Sequence, residues 1–262
     1  MTDATGTFTW YGHSCVELRT PGGKVLLFDP WFGNPTSPRT AADVKQCDLM
    51  LVSHGHFDHI GSAPRDVANS DALKIARVTK PSWPCIHELS LWLERQLDGA
   101  GVEIIGMNKG GTASAAGLSV TMVHADHSAG DWLPAGEPMV GWAKQSEGPL
   151  YLGEPVGFVV ELEDGLRVYF AGDTDVFGDM KIIGEMHSPD VAFLPIGGHY
   201  TMGPAGAARA AALLGARAVI PIHYGTFPIL AGTPDQLRDE LLGVGVDVDV
   251  VAPERGVATP LP

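Results

Sequence analysis

Short apolar runs that end at glycine, proline, asparagine or aspartate recur along this chain and predict a protein rich in β-sheet. Ten such runs are VELRT, KVLLFD, DLMLVS, VEIIGM, LSVTMVHA, VGFVVEL, LRVYFA, DVAFLPI, RAVIPI and VDVDVV. The pair VGFVVEL and LRVYFA predicts a hairpin, because Asp164 and Gly165 between them favour the positive φ angles of a tight turn.

Helical patterns lie between these runs, mostly in the second half of the chain. In CIHELSLWLERQL, apolar residues from Ile86 to Leu97 fall on one face at helical spacing. GPAGAARAAALLGA is rich in alanine, and TPDQLRDELLG opens with Thr233 as N-cap, Pro234 at the first helical position and Gln236 completing a capping box. These segments predict helices packed on a sheet.

Residues 129–155 interrupt this rhythm with glycine, proline and tryptophan and with little periodicity. They predict a long loop that acts as a lid over a functional site. Trp132 and Trp142 would cover that site, and Lys144 is the basic side chain that the lid could offer to a substrate. No shift of composition marks a linker, so the sequence predicts one domain over residues 1–262.

Composition and charge narrow the classes of partner. The formal net charge is −14, and lysine and arginine are scattered singly without a basic patch, which disfavours nucleic acid and acidic lipid as partners. Cys15, Cys47 and Cys85 form no CxxC pair, and no signal peptide or apolar run of ~18 residues is present. We therefore predict a cytoplasmic protein with a small-molecule substrate and no membrane association, and homo-oligomer formation stays open.

The segment LMLVSHGHFDHIGS follows an apolar strand and concentrates histidine and aspartate. His54 and His56 are two residues apart on an extended loop, so both can reach one cation, while Asp58 and His59 turn toward a neighbouring one. Imidazoles crowded in this way repel one another when protonated and gain little unless a cation organises them. The spacing therefore predicts a metal site rather than a solvated histidine-rich turn.

This HxHxDH pattern resembles the first motif of the metallo-β-lactamase superfamily. YFAGDTD resembles its bridging-aspartate motif and offers Asp173, and IPIHYGTFP resembles its last histidine motif and offers His223. WYGHSCVEL, LLFDPWF and AFLPIGGHYTMGP are similar to the ascorbate-phosphate-lactonase-like branch, and within it to uncharacterised metal-dependent hydrolases. The resemblance implies an α/β (α+β) fold, a four-layer αββα sandwich of two mixed sheets with helices outside and the site at one edge.

The stretch MVHADHSAGDW offers two histidines for the remaining ligand. Alternation places His124 on the same strand face as Met122 and predicts a histidine packed at the edge of the core, whereas His127 follows after the alternation is lost. In the resembled branch this motif reads Ala-x-His-Ser, which ADHS matches, so we assign the ligand to His127. Ala129 replaces a second serine, and Asp126 is a candidate to supply the missing hydrogen bond.

The roles of several other residues stay open at this point. His13 and His199 lie in the glycine-flanked stretches GHS and GGHY, where they either support the site and contact substrate or serve structure. Asp29 either orients a ligand imidazole or starts the turn before a proline. His87 and His187 are predicted to lie on the surface.

The resemblance implies two divalent cations, with zinc as the leading expectation and manganese, nickel or iron as alternatives. The first cation would bind His54, His56 and His127, the second Asp58, His59 and His223, and Asp173 would lie between them.

This arrangement implies a hydrolase that uses a metal-bridging hydroxide on an ester, lactone, amide or phosphodiester bond. Asp58 would act in catalysis as well as in binding, and His199 and Tyr224 are candidates for the general acid. Alternatives are a sugar-phosphate lactonase or phosphodiesterase, a diiron oxidoreductase, and a non-enzymatic metal-binding protein. His56 stands where the diiron relatives usually have glutamate, which disfavours that class.

Overall fold

A computed structural model describes residues 6–64, 66–133 and 148–262. Seven strands form the first sheet, in the spatial order β16 (Thr259–Pro260), β1 (Thr7–Trp10), β2 (Val16–Arg19), β3 (Val25–Phe28), β4 (Leu49–Leu51), β5 (Ser82–Ile86) and β6 (Glu103–Met107). Strands β1 to β3 pair antiparallel and β3 to β6 pair parallel, so the sheet is mixed.

Seven strands also form the second sheet, in the order β15 (Asp249–Val250), β14 (Ala218–Ile222), β13 (Val191–Pro195), β12 (Arg167–Phe170), β11 (Val156–Glu161), β8 (Leu118–His124) and β7 (Thr112–Ala115). The strands from β12 to β15 pair parallel, and β11 pairs antiparallel with both β12 and β8. All ten apolar runs of the sequence contribute a strand to one of the two sheets.

The helices lie outside the two sheets. They are α1 (Phe57–Ile60), α2 (Asp71–Thr79), α3 (His87–Gln96), α4 (Met180–His187), α5 (Pro204–Leu214) and α6 (Pro234–Val244), with 3-10 turns at Ala41–Asp43 and Val67–Asn69. Buried residues of α2 and α3 join the core of the first sheet, and those of α4, α5 and α6 form a second core with strands β12 to β14. This is the four-layer αββα sandwich that the sequence predicted.

Aromatic side chains join the inner faces of the two sheets. Phe28 of β3 stacks on Phe170 of β12 with ring centroids 4.6 Å apart, and Phe8 of β1 meets Phe193 of β13 edge-on at 5.5 Å. All four side chains are fully buried. Each such burial stabilises the fold by about 1.5–3 kcal/mol, so this layer fixes one sheet against the other.

The capping box of Thr233 and Gln236 is present at the start of α6. The hairpin of β11 and β12 is also present, but only Gly165 has a positive φ, of 86°. Leu162 pairs with Leu166 across a three-residue loop, and this loop needs one left-handed residue rather than two.

The predicted lid over residues 129–155 is partly a strand pair. Strands β9 (Asp131–Leu133) and β10 (Gly148–Leu150) pair antiparallel, which corrects the expectation of a continuous loop. Trp142 and Lys144 fall within residues 134–147, outside the described residues, and the side chain of Trp132 is not described either. The lid therefore stays a prediction.

Strand direction brings the loops of the candidate site to one edge of the sandwich. In the first sheet β1, β3 and β4 run in one direction, and in the second sheet β8, β12, β13 and β14 do. Each candidate residue follows the end of one of these strands. They are His13, Asp29 and His54 from the first sheet and His127, Asp173 and His223 from the second. In the part of the chain that is described, no helix has the length and apolar character needed to cross a membrane.

Candidate metal centre

Three histidines form the first candidate ligand group. His54 Nε2 lies 2.9 Å from His56 Nδ1, and the ring of His127 lies 5.1 Å and 5.3 Å from those of His54 and His56. One nitrogen of each ring lies within 4.8 Å of the others, so the three can reach one ion. His56 immediately precedes α1, and Asp58 and His59 lie within that short helix, with the His59 ring 4.1 Å from that of His54.

The second candidate group lies beside the first. It comprises His13, Asp58, His59 and His223, whose ligand atoms lie within 4.8 Å of one another. Asp173 lies between the groups. Its Oδ2 is 3.3 Å from His59 Nε2, 3.1 Å from His223 Nε2 and 3.7 Å from His127 Nε2.

Buried polar atoms without a well-formed hydrogen bond lie where these residues converge. His59 Nε2, His223 Nε2 and Asp173 Oδ1 form no hydrogen bond of good geometry, although both nitrogens lie within ion-pair distance of Asp173 Oδ2. Such orphaned atoms are rare in folded proteins, because each one costs the free energy of its lost hydration. Imidazole nitrogens and a carboxylate oxygen are ligands that divalent transition metals accept, so these residues fit a metal ion.

Asp29 organises one histidine of each ligand group. Its fully buried carboxylate accepts hydrogen bonds from Ser53 N, Ser53 Oγ and His59 Nδ1, each at 2.7 Å. Ser53 Oγ in turn lies 3.0 Å from His54 Nδ1. Since the hydroxyl proton goes to Asp29, His54 Nδ1 must be the donor to Ser53. Both imidazoles thus carry their proton on Nδ1 in the cation-binding form and leave the Nε2 lone pair free.

His13 holds Asp58 in a similar way. His13 Nε2 lies 3.1 Å from Asp58 Oδ2, and His13 Nδ1 lies 3.1 Å from Thr226 Oγ1. An ionised carboxylate only accepts, so Nε2 is the donor and the threonine hydroxyl donates to Nδ1. Burial raises the pKa of Asp58, but the hydrogen bond from His13 and the nearby His59 outweigh it and hold that pKa well below its usual value. With both of its nitrogens engaged, His13 orients Asp58.

Burial keeps the first ligand group neutral. It is the main cause that lowers the pKa of His54 well below its usual value, and with the neighbouring His59 it lowers the pKa of His56 to about 4. Burial also lowers the pKa of His127. Neutral imidazole is the form that binds a metal, so these side chains need lose no proton at neutral pH.

For His59 and Asp173, neighbouring charges outweigh burial, and their pKa values shift so that the charged form is favoured. Burial lowers the pKa of His59, but the carboxylates of Asp173 and Asp29 outweigh it and hold that pKa well above its usual value. Burial raises the pKa of Asp173, and His223 and His59 outweigh it and hold the carboxyl ionised. Burial also raises the pKa of Asp29, against the charge of His59 and its hydrogen-bond donors.

The loop that bears His127 is held by Thr174 and by backbone hydrogen bonds. Thr174 is fully buried, and its Oγ1 accepts from Asp126 N at 2.9 Å, while Asp126 O accepts from Asp175 N at 3.0 Å. The side chain of Asp126 itself is exposed. The hydrogen bond near the ligand for which Asp126 is a candidate therefore stays a prediction, and the backbone of Asp126 anchors the loop.

The structure separates His124 from the candidate ligands. His124 is the last residue of β8 and is exposed, 3.5 Å from Lys109 Nζ and edge-on to Phe177 at 4.9 Å. Its predicted place in a packed layer is corrected, since the buried core of β8 ends one residue earlier, at Val123. His127, in contrast, lies with His54 and His56.

The two candidate general acids, His199 and Tyr224, do not line the cavity beside the centre. His199 is exposed, and Tyr224 is half-buried with its ring stacked 4.8 Å from Trp10. Among the described residues, Tyr200 lines the cavity instead. His87 is exposed and His187 is partly buried, and neither lines it. Proximity in sequence to a ligand motif was a poor guide because adjacent side chains point in different directions.

The chain belongs to the metallo-β-lactamase superfamily, since residues 24–224 match the β-lactamase superfamily domain. More narrowly, it is 45% identical over 232 residues to the UPF0173 metal-dependent hydrolase of Koribacter versatilis, covering 88% of this chain and 89% of that relative. It is 43% identical over 250 residues to the homologue of Archaeoglobus fulgidus, covering 95% and 96%. The protein is thus a member of the UPF0173 metal-dependent hydrolases.

A solved structure agrees with this assignment. Igni18, a metallo hydrolase from the archaeon Ignicoccus hospitalis, superposes with a TM-score of 0.78 at 34% identity over 99% of both chains. The superfamily and the class of metal-dependent hydrolase that the sequence predicted are confirmed. The narrower resemblance to the ascorbate-phosphate-lactonase-like branch stays a prediction.

Proposed function

We propose that this protein binds two divalent cations, zinc in the first instance, on two ligand groups that share one carboxylate. The groups are His54, His56 and His127, then Asp58, His59 and His223, with Asp173 between them. The observation that supports this most directly is the convergence of buried imidazole nitrogens and carboxylate oxygens, several without a well-formed hydrogen bond, within 4.8 Å of one another in each group. Manganese, nickel and iron suit the same nitrogen and oxygen ligands.

The proposed reaction is hydrolysis of an ester, lactone or amide bond of a small molecule. When bound, the cations supply Lewis-acid polarisation of the carbonyl and a water molecule of lowered pKa. The oxygen of water forms the new bond to the carbonyl carbon, the bond to the leaving oxygen or nitrogen breaks, and the leaving group takes up a proton.

Groups of this chain prepare the site for that reaction. Asp29 and His13 hold ligand side chains in fixed orientations, and the buried histidines of the first group stay neutral. Tyr200 is the described cavity-lining phenol and thus the candidate to donate a proton or hydrogen bond to the leaving group, in place of His199 and Tyr224.

The metal stoichiometry tests the ligand assignment, with a matched pair of histidines as variant and control. After reconstitution with zinc and removal of free metal, the wild-type protein should hold about two equivalents. His127→Ala should hold about one, and His124→Ala should retain both because His124 lies outside the ligand groups. A wild-type stoichiometry of one, or loss of metal in His124→Ala with none in His127→Ala, would overturn the proposal.

The hydrolytic activity needs its own control. Purified protein is screened against ester, lactone and amide substrates beside His56→Ala prepared in the same way. Activity that survives the His56 change would place the reaction elsewhere in the molecule or in a contaminant. Loss of activity together with one of the two metals supports the proposed site.

A further inference from the structure

A cavity of about 640 Å³ opens beside the candidate metal centre. This volume lies in the range of ~300–1,000 Å³ typical of small-molecule sites. One part of its wall consists of the candidate ligands and His13. Most of the remainder is apolar or aromatic, and Ser128 and Gly130 complete it beside His127; the apolar and aromatic residues are Phe57, Ala129, Tyr200, Phe227, Ile229 and Leu230.

The aromatic part of this apolar wall is fixed in place. Trp31, only 7% exposed, lies edge-on to Phe57 at 5.7 Å and 6.1 Å from Phe227. Phe227 also lies 6.2 Å from the ring of His13, which holds Asp58. The apolar wall therefore begins directly beside the second ligand group, where a substrate bound at the metals would place its neighbouring substituent.

Large apolar side chains remain exposed where the cavity opens. Ile229 is 46% exposed and Tyr200 is 60% exposed, although both line the cavity. Exposed apolar surface that is continuous with a concave site marks a place where an apolar ligand binds, because the ligand removes that surface from water.

The charges around the cavity disfavour an anionic substituent. Among the described residues that line it there is no lysine or arginine, and beyond the proposed metal ligands its wall is mainly apolar. Phosphate or a second carboxylate is usually held by arginine, lysine or a cluster of backbone donors. The chain as a whole carries a formal charge of −14, which adds repulsion at long range.

We propose that the substrate carries an uncharged, apolar acyl chain that packs on the wall of Phe57, Phe227, Ile229 and Leu230, with its carbonyl group at the metal centre. This inference rests on the proposed hydrolase function and narrows it, since it sets sugar phosphates and phosphodiesters aside. The apolar chain contributes binding energy, and the ligand groups carry out the reaction at the carbonyl.

The first test compares chain length with charge. The kcat/KM values of p-nitrophenyl acetate, butyrate and octanoate are measured beside those of the p-nitrophenyl hemisuccinate and phosphate. Each buried methylene can contribute a factor of up to about four, so octanoate should exceed acetate by about tenfold or more. The hemisuccinate and the phosphate should be hydrolysed more slowly than butyrate.

A matched pair of isoleucines tests the wall itself. Ile229→Ala should lower kcat/KM for octanoate by about fivefold and for acetate by less than about twofold. Ile182→Ala is the control, because Ile182 is exposed to a similar degree, 50%, but lies on α4 and does not line the cavity. Each residue is about half exposed, so neither change should unfold the protein.

A binding measurement keeps the test independent of turnover. Calorimetry with the product-type ligands octanoate, acetate and succinate should show octanoate binding at least about tenfold more tightly than the other two, and Ile229→Ala should remove most of that difference. Octanoate binding no tighter than acetate, or a preference for succinate or the anionic esters, would overturn the apolar substrate. Absence of any hydrolysis above the His56→Ala background would instead overturn the proposed function, even where octanoate binds.

Discussion

Replacing Asp29 with asparagine should weaken cation binding, although Asp29 belongs to neither ligand group. The carboxylate of Asp29 accepts from Ser53 N, Ser53 Oγ and His59 Nδ1. Asparagine has the same shape but one oxygen becomes an NH₂ group, so a donor must face a donor whichever way the amide turns. With the amide nitrogen toward His59, the neutral imidazole that would bind a cation regains a hydrogen bond only by moving its one ring proton to Nε2. That proton then occupies the lone pair that faces Asp173.

The size of the effect follows from the burial of the pair. Asp29 and His59 are both fully buried, and removing one charge of a buried ion pair costs about 3–5 kcal/mol. The lower end applies here, about 3 kcal/mol, because Asp173 remains 3.3 Å from His59 and the amide keeps the shape of the carboxyl. Loss of a hydrogen bond that orients a ligand lowers metal affinity by about 10- to 100-fold.

Two measurements separate these effects. Urea unfolding of the metal-free protein gives the free energy of unfolding, and competition with a chelator gives the cation affinity. Asp48→Asn is the control, because the Asp48 carboxylate also accepts from a strand backbone, at Val25 N, and from Gln46, but contacts no candidate ligand. If Asp29→Asn lost stability but kept the wild-type cation affinity, the predicted shift of the His59 proton to Nε2 would be wrong.

Two further predictions concern the same network. Thr226→Val removes the hydroxyl that donates to His13 Nδ1, and it should lower cation affinity by about tenfold. Thr226→Ser keeps a hydroxyl and should retain the wild-type affinity. An equal loss of affinity in both variants would attribute the effect to packing. Cation binding at pH 7 should release about one proton, measured by calorimetry in buffers of different ionisation enthalpy, because Asp173 and Asp29 raise the pKa of His59 in the metal-free protein and keep it protonated. The raised pKa of His59 also stabilises the folded metal-free protein. This stabilisation is complete below the pKa of His59 in the unfolded chain, about 6.5, and is lost as the pH rises through its pKa in the folded protein. A metal-free protein that became more stable as the pH rose through this range would contradict a protonated His59.

The strands could be predicted from the sequence more completely than the helices. Ten of the described strands coincide with compact apolar runs, whereas β1, β5, β7, β9, β10 and β16 do not. Of the six described helices, α1, α2 and α4 were not predicted. In α4 the pair Ile182 and Ile183 and the following Gly184 lower helix propensity, and burial of Met180 and Ile183 stabilises the helix only once the fold is formed. For α2 a local signal did exist, since Ser70 caps the helix by accepting from Leu73 N.

His54, His56, Asp58 and His59 were visible in the sequence because their spacing is local, and the other ligands came from the family resemblance. His13 and Asp29 were candidates to support them, but the hydroxyl groups that complete the network were not predicted. Thr226 is 213 positions from His13 in the chain, and Thr174 is 48 from Asp126. A serine or threonine near a strand end is too common to be informative until the fold shows its partner. Ser53 is close in sequence to the ligand that it orients, since it directly precedes His54. Its hydrogen bond to Asp29, however, depends on the pairing of β3 with β4.

Backbone strain at the strand ends explains how both sheets direct side chains into one small volume. His13, Asp29 and His223 all have left-handed backbone conformations, with φ of 52°, 41° and 55°. For residues with a β-carbon each costs about 1–2 kcal/mol, so such conformations persist only where the surroundings impose them. Here they do, because His13 O accepts from His223 N and from Trp10 Nε1, each at 2.8 Å, and Asp29 N donates to Leu51 O at 3.0 Å. The bond between His13 and His223 joins the end of β1 in the first sheet to the end of β14 in the second. The second ligand group is therefore assembled by the contact between the sheets, and its geometry should be largely fixed before a cation binds.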